Sequence, residues 1–129
     1  MGKKNILYAE DNPDLRELFL MYSEKYLSEI NLEVFEEGIS LEKRLQKGPD
    51  GIDLVLTDNQ MPGPNGSDII KKYARLPGFE RIPFILYYGG FPEIGEQAVK
   101  DGAFIYFKKP GNYNKLIELV KKSLKIEWE

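Results

Sequence analysis

Short apolar runs alternate with longer stretches of helical period along the whole chain, the pattern of a parallel α/β sheet. Five runs have strand length: Lys4–Ala9, Leu32–Glu36, Asp53–Thr57, Phe84–Tyr88 and Phe104–Lys108. Ile6-Leu7-Tyr8-Ala9, Leu54-Val55-Leu56 and Phe84-Ile85-Leu86 are continuously apolar, which predicts central strands covered on both faces. Leu32-Glu33-Val34-Phe35-Glu36 interleaves charge with apolar residues, so it is placed at a sheet edge. The first helix opens on Asn12 as a cap and Pro13 at the first helical position, where no N–H is needed. Leu15, Leu18, Phe19, Tyr22 and Tyr26 then form one helical stripe, expected to pack into the core. Ile69, Ile70, Tyr73 and Ala74 repeat the spacing in a third helix, and Leu116, Ile117, Val120 and Leu124 in a fifth. Shorter helices are expected around Leu41–Leu45 and Ile94–Val99, with turns at Gly48-Pro49-Asp50-Gly51 and Arg75-Leu76-Pro77-Gly78.

Five β–α units joined by right-handed crossovers put helices on both faces of the sheet and the ligand crevice beyond the carboxyl ends of the strands. Glu10 and Asp11 follow the first run, Asp58 the third and Lys109 the fifth, so ionisable groups from separated parts of the chain converge on one edge. A single acid at such a place is a helix cap or turn former as readily as a ligand. Their convergence changes the weight. Two unit charges ~4 Å apart at an effective dielectric of ~20 repel by about 4 kcal/mol, so clustered carboxylates raise one another's pKa values or recruit a cation. With oxygen donors and no histidine the expected ion is magnesium, calcium or manganese being the substitutes. Such an ion keeps open positions for phosphate oxygens. With Lys109 as a second positive charge, Asp58 is then placed to attack phosphorus in line while Glu10 and Asp11 hold metal.

Composition narrows this picture. A length of 129 residues, 42% hydrophobic and 30% charged, predicts one domain over residues 1–129. The absence of cysteine and histidine removes thiolate nucleophiles, disulfides, sulfur-ligated metals and imidazole proton transfer. Eighteen basic and twenty-one acidic residues leave a net charge of −3, which gives no long-range attraction to nucleic acid or to an anionic membrane. Met1-Gly2-Lys3-Lys4 leads into only four apolar residues, too few for a signal peptide or membrane span, so a cytoplasmic location is expected.

The order and spacing of three motifs resemble the response-regulator receiver domain of the CheY type over essentially the whole chain. They are Ile6-Leu7-Tyr8-Ala9-Glu10-Asp11; Asp53-Leu54-Val55-Leu56-Thr57-Asp58 followed by Met61-Pro62-Gly63-Pro64-Asn65-Gly66; and Phe107-Lys108-Lys109-Pro110. The resemblance implies a doubly wound, flavodoxin-like (βα)5 sheet; the strand order 2-1-3-4-5 comes with that fold rather than from the apolar pattern. It implies a signalling switch rather than an enzyme, in which Asp58 accepts phosphate from a sensor histidine kinase or a phosphotransfer protein. Glu10, Asp11, Asp58 and the backbone carbonyl of Gln60 would bind Mg2+, and Lys109 would clamp the phosphate. Tyr106 matches the aromatic that changes rotamer on activation, and the Lys109–Pro110 bond is expected to be cis.

The pattern breaks at the end of the fourth strand. Receivers carry a small hydroxyl there that bonds the phosphoryl group and couples it to the switch aromatic, whereas this chain has Tyr88. A phenol cannot fill a threonine's space without moving backbone or swinging outward, and Gly89-Gly90 is the expected source of room. Gly111 is a second departure, standing where a bulky apolar residue is commoner. Gln60 and Gly90 occupy positions that in the family influence acyl-phosphate lifetime.

Two functions of other classes compete with the phosphorylated switch. A pseudo-receiver would keep the fold and an interaction face but signal without phosphate, a reading motivated by Tyr88. A magnesium-dependent phosphohydrolase usually needs a second acid two residues past its nucleophile, and that position is Gln60. Neither Gly63-Pro64-Asn65-Gly66 nor Gly89-Gly90-Phe91 continues into Gly-Lys-Ser/Thr, so nucleotide hydrolysis has no motif. No effector segment is expected after the fifth helix. Output would pass to a downstream protein, or to a second copy as a homodimer, through the fourth helix, fifth strand and fifth helix, where Phe104, Ile105, Tyr106 and Phe107 cluster. Lys121, Lys122 and Lys125 are read as a solvated face and a favourable charge at the helix C-terminus.

Overall fold

A computed structural model describes residues 3–109 and 111–125. Its strands are β1 (Lys4–Ala9), β2 (Ile30–Phe35), β3 (Leu54–Asp58), β4 (Phe84–Tyr88) and β5 (Ile105–Lys108). They alternate with α1 (Pro13–Tyr26), α2 (Gly38–Leu45), α3 (Gly66–Tyr73), α4 (Pro92–Lys100) and α5 (Tyr113–Leu124). A 3₁₀ turn, Phe79–Arg81, precedes β4. Every strand pairing is parallel, and the order is β2-β1-β3-β4-β5. The parallel α/β sheet is the one anticipated from the apolar pattern, and its doubly wound strand order is the one implied by the resemblance.

The apolar runs fall where continuous burial demands them. Every residue of β3 and β4 is buried, while β2, at one edge, has no fully buried residue. Side chains alternate between two cores, one on each face. One packs Leu7, Val55, Phe84, Leu86 and Tyr88 against α2, α3 and α4; the other packs Ile6, Tyr8, Ile85 and Tyr87 against α1 and α5. Neighbouring residues of one strand therefore report to different layers. That separation governs the site.

Element ends differ from the apolar pattern for local reasons. β2 starts at Ile30 because Lys4 pairs with Ile30 and donates its N–H to the Glu29 carbonyl (3.0 Å). β3 begins at Leu54 and keeps Asp58, which pairs with Tyr87; Asp53 instead accepts the Asn5 N–H through its carboxylate (2.7 Å). Asn12 caps α1 as expected, its side chain accepting from the N–H groups of Asp14 and Leu15. The α1 stripe is shorter than its spacing predicts. Phe19 is fully buried, but Tyr26 is exposed, because the helix ends there and Leu27 turns inward in its place. At the far edge Phe104 stands outside β5 and is 59% exposed, whereas Ile105, Tyr106 and Phe107 are half-buried.

Candidate functional site

The carboxyl ends of β1, β3 and β5 bring Glu10, Asp11, Asp58 and Lys109 to one open cleft of about 740 Å³. Gln60, Tyr88, Gly89, Gly90 and Phe91 also line it. Glu10 and Asp58 are buried and Asp11 is exposed, so the acid group runs from the sheet edge outward to solvent. One carboxylate oxygen from each lies within 4.8 Å of the others. The Lys109 ammonium bridges the inner two, with Nζ 3.0 Å from Glu10 Oε1 and 3.2 Å from Asp58 Oδ1.

Backbone and side-chain contacts fix these groups. Asp58 Oδ1 also accepts the Asn59 N–H (2.7 Å), and the Asn59 side chain accepts the Ser67 N–H (2.8 Å) at the start of α3. Glu10 Oε2 accepts the Asn12 N–H (3.2 Å). Arg16, on the first turn and a half of α1, donates to the Glu10 carbonyl (2.9 Å) and pairs with Glu36 (3.2 Å), tying β1, α1 and the end of β2 together. The Lys109 N–H donates to the Tyr88 carbonyl (3.1 Å), which anchors the lysine backbone to β4.

Charge crowding appears in the acidity of the site. Burial, reinforced by the adjacent Glu10 carboxylate and opposed by Lys109, raises the Asp58 pKa to about 6. Burial works against the Lys109 ammonium, but the Glu10 and Asp58 carboxylates outweigh it and its pKa is raised. Three clustered carboxylates facing one ammonium keep an excess of negative charge, and their convergent hard oxygens are a donor set suited to a divalent cation. The residues present therefore fit the ion implied by their chemistry.

The two switch candidates lie in the α3–α4 layer. Tyr88 is buried, neither pushed into the sheet nor swung to solvent, because its phenol lies over Gly90; a methyl group on Gly90 would overlap the ring and hydroxyl. The Tyr106 ring lies on Gly95, inside α4, where any side chain would strike it. A glycine inside a helix costs about 1 kcal/mol relative to alanine, so α4 carries a notch shaped for this ring. The Tyr106 hydroxyl is buried there without a hydrogen-bond partner among the described residues. Gly111 has a similar explanation: its Cα faces the Phe107 ring at a distance that leaves no room for a side chain. The expected cis bond involves Pro110, which lies outside the described residues.

Pattern reading missed two features of the cleft. Phe91, at the start of α4, stands at its mouth 72% exposed. Tyr87 lies beneath Lys109, whose Nζ is 4.9 Å from the ring centroid. The available signal was alternation: Tyr87 and Tyr88 must face opposite layers, and both cannot be switch or core residues of the same layer.

The comparisons with known proteins agree with this architecture. The chain belongs to the response regulator receiver domain family, whose model matches residues 6–121. It is 29% identical over 126 residues to the response regulator protein PilR of Pseudomonas aeruginosa, covering 98% of this chain but only 27% of that protein. The chain thus spans about a quarter of the length of that curated relative. Among solved structures, a response regulator receiver domain protein from Clostridium thermocellum superposes with a TM-score of 0.81 at 21% identity, over 95% of this chain and 94% of the other. A CheY-like receiver domain protein from Methanospirillum hungatei JF-1 gives 0.78 at 22% identity, over 96% and 95%. Receiver domains are modules of two-component signalling that interact with histidine kinases or phosphotransfer proteins, and they generally bind Mg2+ at an acidic pocket. Among the described residues no helix is long and apolar enough to cross a membrane.

Proposed function

We propose that this chain is a phosphorylation-controlled switch in which Asp58 accepts a phosphoryl group from a phosphohistidine partner. The single observation that carries the reading is the convergence of Asp58 with Glu10, Asp11 and Lys109 at the carboxyl edge of the sheet. Asp58 Oδ2 makes neither the Lys109 nor the Asn59 contact held by Oδ1, and it is assigned as the attacking oxygen. The new O–P bond forms as the donor's P–N bond breaks, and its electron pair leaves with the imidazole nitrogen, which then takes a proton from solvent. Lys109, already 3.2 Å from Asp58, neutralises a phosphoryl oxygen as charge develops there. Glu10, Asp11, Asp58 and the Gln60 carbonyl would hold Mg2+, which supplies Lewis-acid neutralisation of phosphate charge. Tyr106 on its Gly95 notch and Tyr88 on Gly90 are assigned as the switch pair. The exposed Phe104 and Val99 belong to the proposed contact surface for a downstream protein or a second copy through α4, β5 and α5.

A second reading, an interaction module that signals without phosphate, is favoured by the buried Tyr88 at the position of the usual small hydroxyl. Intact-protein mass spectrometry with a small phosphodonor and magnesium separates the two. The expected result is one phosphoryl increment on the wild type and none on Asp58→Asn. No increment on the wild type with several donors would leave the second reading, and an increment retained by Asp58→Asn would remove the nucleophile assignment.

A further inference from the structure

Lys109 has two carboxylate partners, yet both are also the candidate ligands of the cation and one is the candidate nucleophile. Each contact weakens as its carboxylate is shared with a metal or esterified by phosphate. The contact that survives is the ring of Tyr87. Its centroid is 4.9 Å from Lys109 Nζ, within the range in which an ammonium is attracted to the negative face of an aromatic.

Two neighbouring rings pack against this one. Tyr87 is 3% exposed and sits at the end of β4, opposite Asp58 on β3 and Phe107 on β5. Tyr113 meets it at 90° with centroids 6.0 Å apart, and Phe107 at 66° and 5.6 Å, so neighbouring aromatic rings fix its tilt. Phe107 and Lys109 lie two residues apart, and the Lys109 N–H is bonded to the adjacent Tyr88 carbonyl. The lysine stem thus runs past a ring whose orientation is already set.

Resting on the phosphoacceptor reading above, we propose that Tyr87 is a positioning residue that holds the Lys109 ammonium beside phosphorus through its ring face. An exposed or ordinarily packed aliphatic residue at this place would leave the ammonium to the carboxylates alone. Attraction of an ammonium to the ring face needs no hydroxyl, so ring and hydroxyl can be separated by substitution.

The test is the rate of phosphoryl uptake from a small phosphodonor with magnesium, followed by intact mass. Tyr87→Leu should slow uptake about 3- to 30-fold, the span of a partly desolvated cation–ring contact, whereas Tyr87→Phe keeps the ring and should stay within about 2-fold of wild type. In a Lys109→Ala background Tyr87→Leu should add no further loss, since the two act as one unit. Should Tyr87→Leu fail to fold, difluoro- and trifluorophenylalanine at position 87 preserve the shape while draining the ring face, and uptake should fall with each step of fluorination. Wild-type speed in Tyr87→Leu or the fluorinated series, equal loss in the Lys109→Ala background, or a Tyr87→Phe as slow as Tyr87→Leu would overturn the assignment while leaving Asp58 as acceptor. A wild type that takes up no phosphate overturns both.

Discussion

Lys109→Ala should take up a phosphoryl group about 10²–10³-fold more slowly than the wild type, the usual loss when one preorganised charge donor is removed from developing oxyanion charge. The reason lies in distance and burial. Its ammonium sits 3.0 and 3.2 Å from the two buried carboxylates, in a side chain only 17% exposed, so water replaces it poorly. The loss should come without loss of the metal. Removing a positive charge from beside Glu10 and Asp58 leaves the acid group more negative, so magnesium affinity should hold or rise while the rate collapses. Uptake rate and magnesium titration on the same preparation check this. A variant with wild-type rate would remove Lys109 from the chemistry, and one that loses both together would make it a structural residue.

The second large effect is a gain in stability. Asp58→Asn should unfold at a higher temperature than the wild type at pH 7.5 in the absence of divalent ions. The folded Asp58 pKa is raised from 3.8 to about 6, chiefly by burial and the Glu10 carboxylate. Between those values the native state binds more protons than the unfolded chain, so stability rises as pH falls from about 6 towards 4. Above about 6 the full cost of the buried charge is present. A shift of this size corresponds to roughly 2–3 kcal/mol, or on the order of 5–15 °C in a domain of this length. The difference between the two proteins should shrink on acidification towards pH 4, where the folded Asp58 is neutral and the buried charge is gone. Saturating magnesium should shrink it too, because the cation offsets the charge that asparagine removes. Equal midpoints at pH 7.5, or a destabilised Asp58→Asn, would show that the acid pair is relieved by other means.

The strands and their central or edge placement were legible because burial on both faces forces unbroken apolar runs, as in Leu54-Val55-Leu56 and Phe84-Ile85-Leu86. The acid group was legible for a topological reason: in a parallel sheet, residues just past the strands share one edge whatever their separation in the chain. Strand ends were not, because pairing rather than polarity sets them; Ile30 belongs to β2 through Lys4, and Asp58 to β3 through Tyr87. The stripe of α1 misled at Tyr26 because periodicity carries no information about where a helix stops. The fit of Tyr88 over Gly90 and of Tyr106 over Gly95 involves pairs whose meaning lies in ring packing across elements or across a loop. Adjacent glycines suggested room beside Tyr88, but nothing in the spacing linked Gly95 to Tyr106. The cation–ring contact of Lys109 with Tyr87 needed the strand register before it could be seen.

The most direct test of the central claim, that these carboxylates share a divalent cation, is a calorimetric magnesium titration of the wild type beside Asp11→Ala. Asp11 is the exposed, outermost of the three proposed ligands, so its removal would empty a coordination position while leaving the buried Glu10–Lys109–Asp58 contacts in place. Saturable binding in the millimolar range or tighter is predicted for the wild type, and its loss or severe weakening for Asp11→Ala. A wild type that gives no binding heat, or a variant that binds as the wild type does, would contradict the claim.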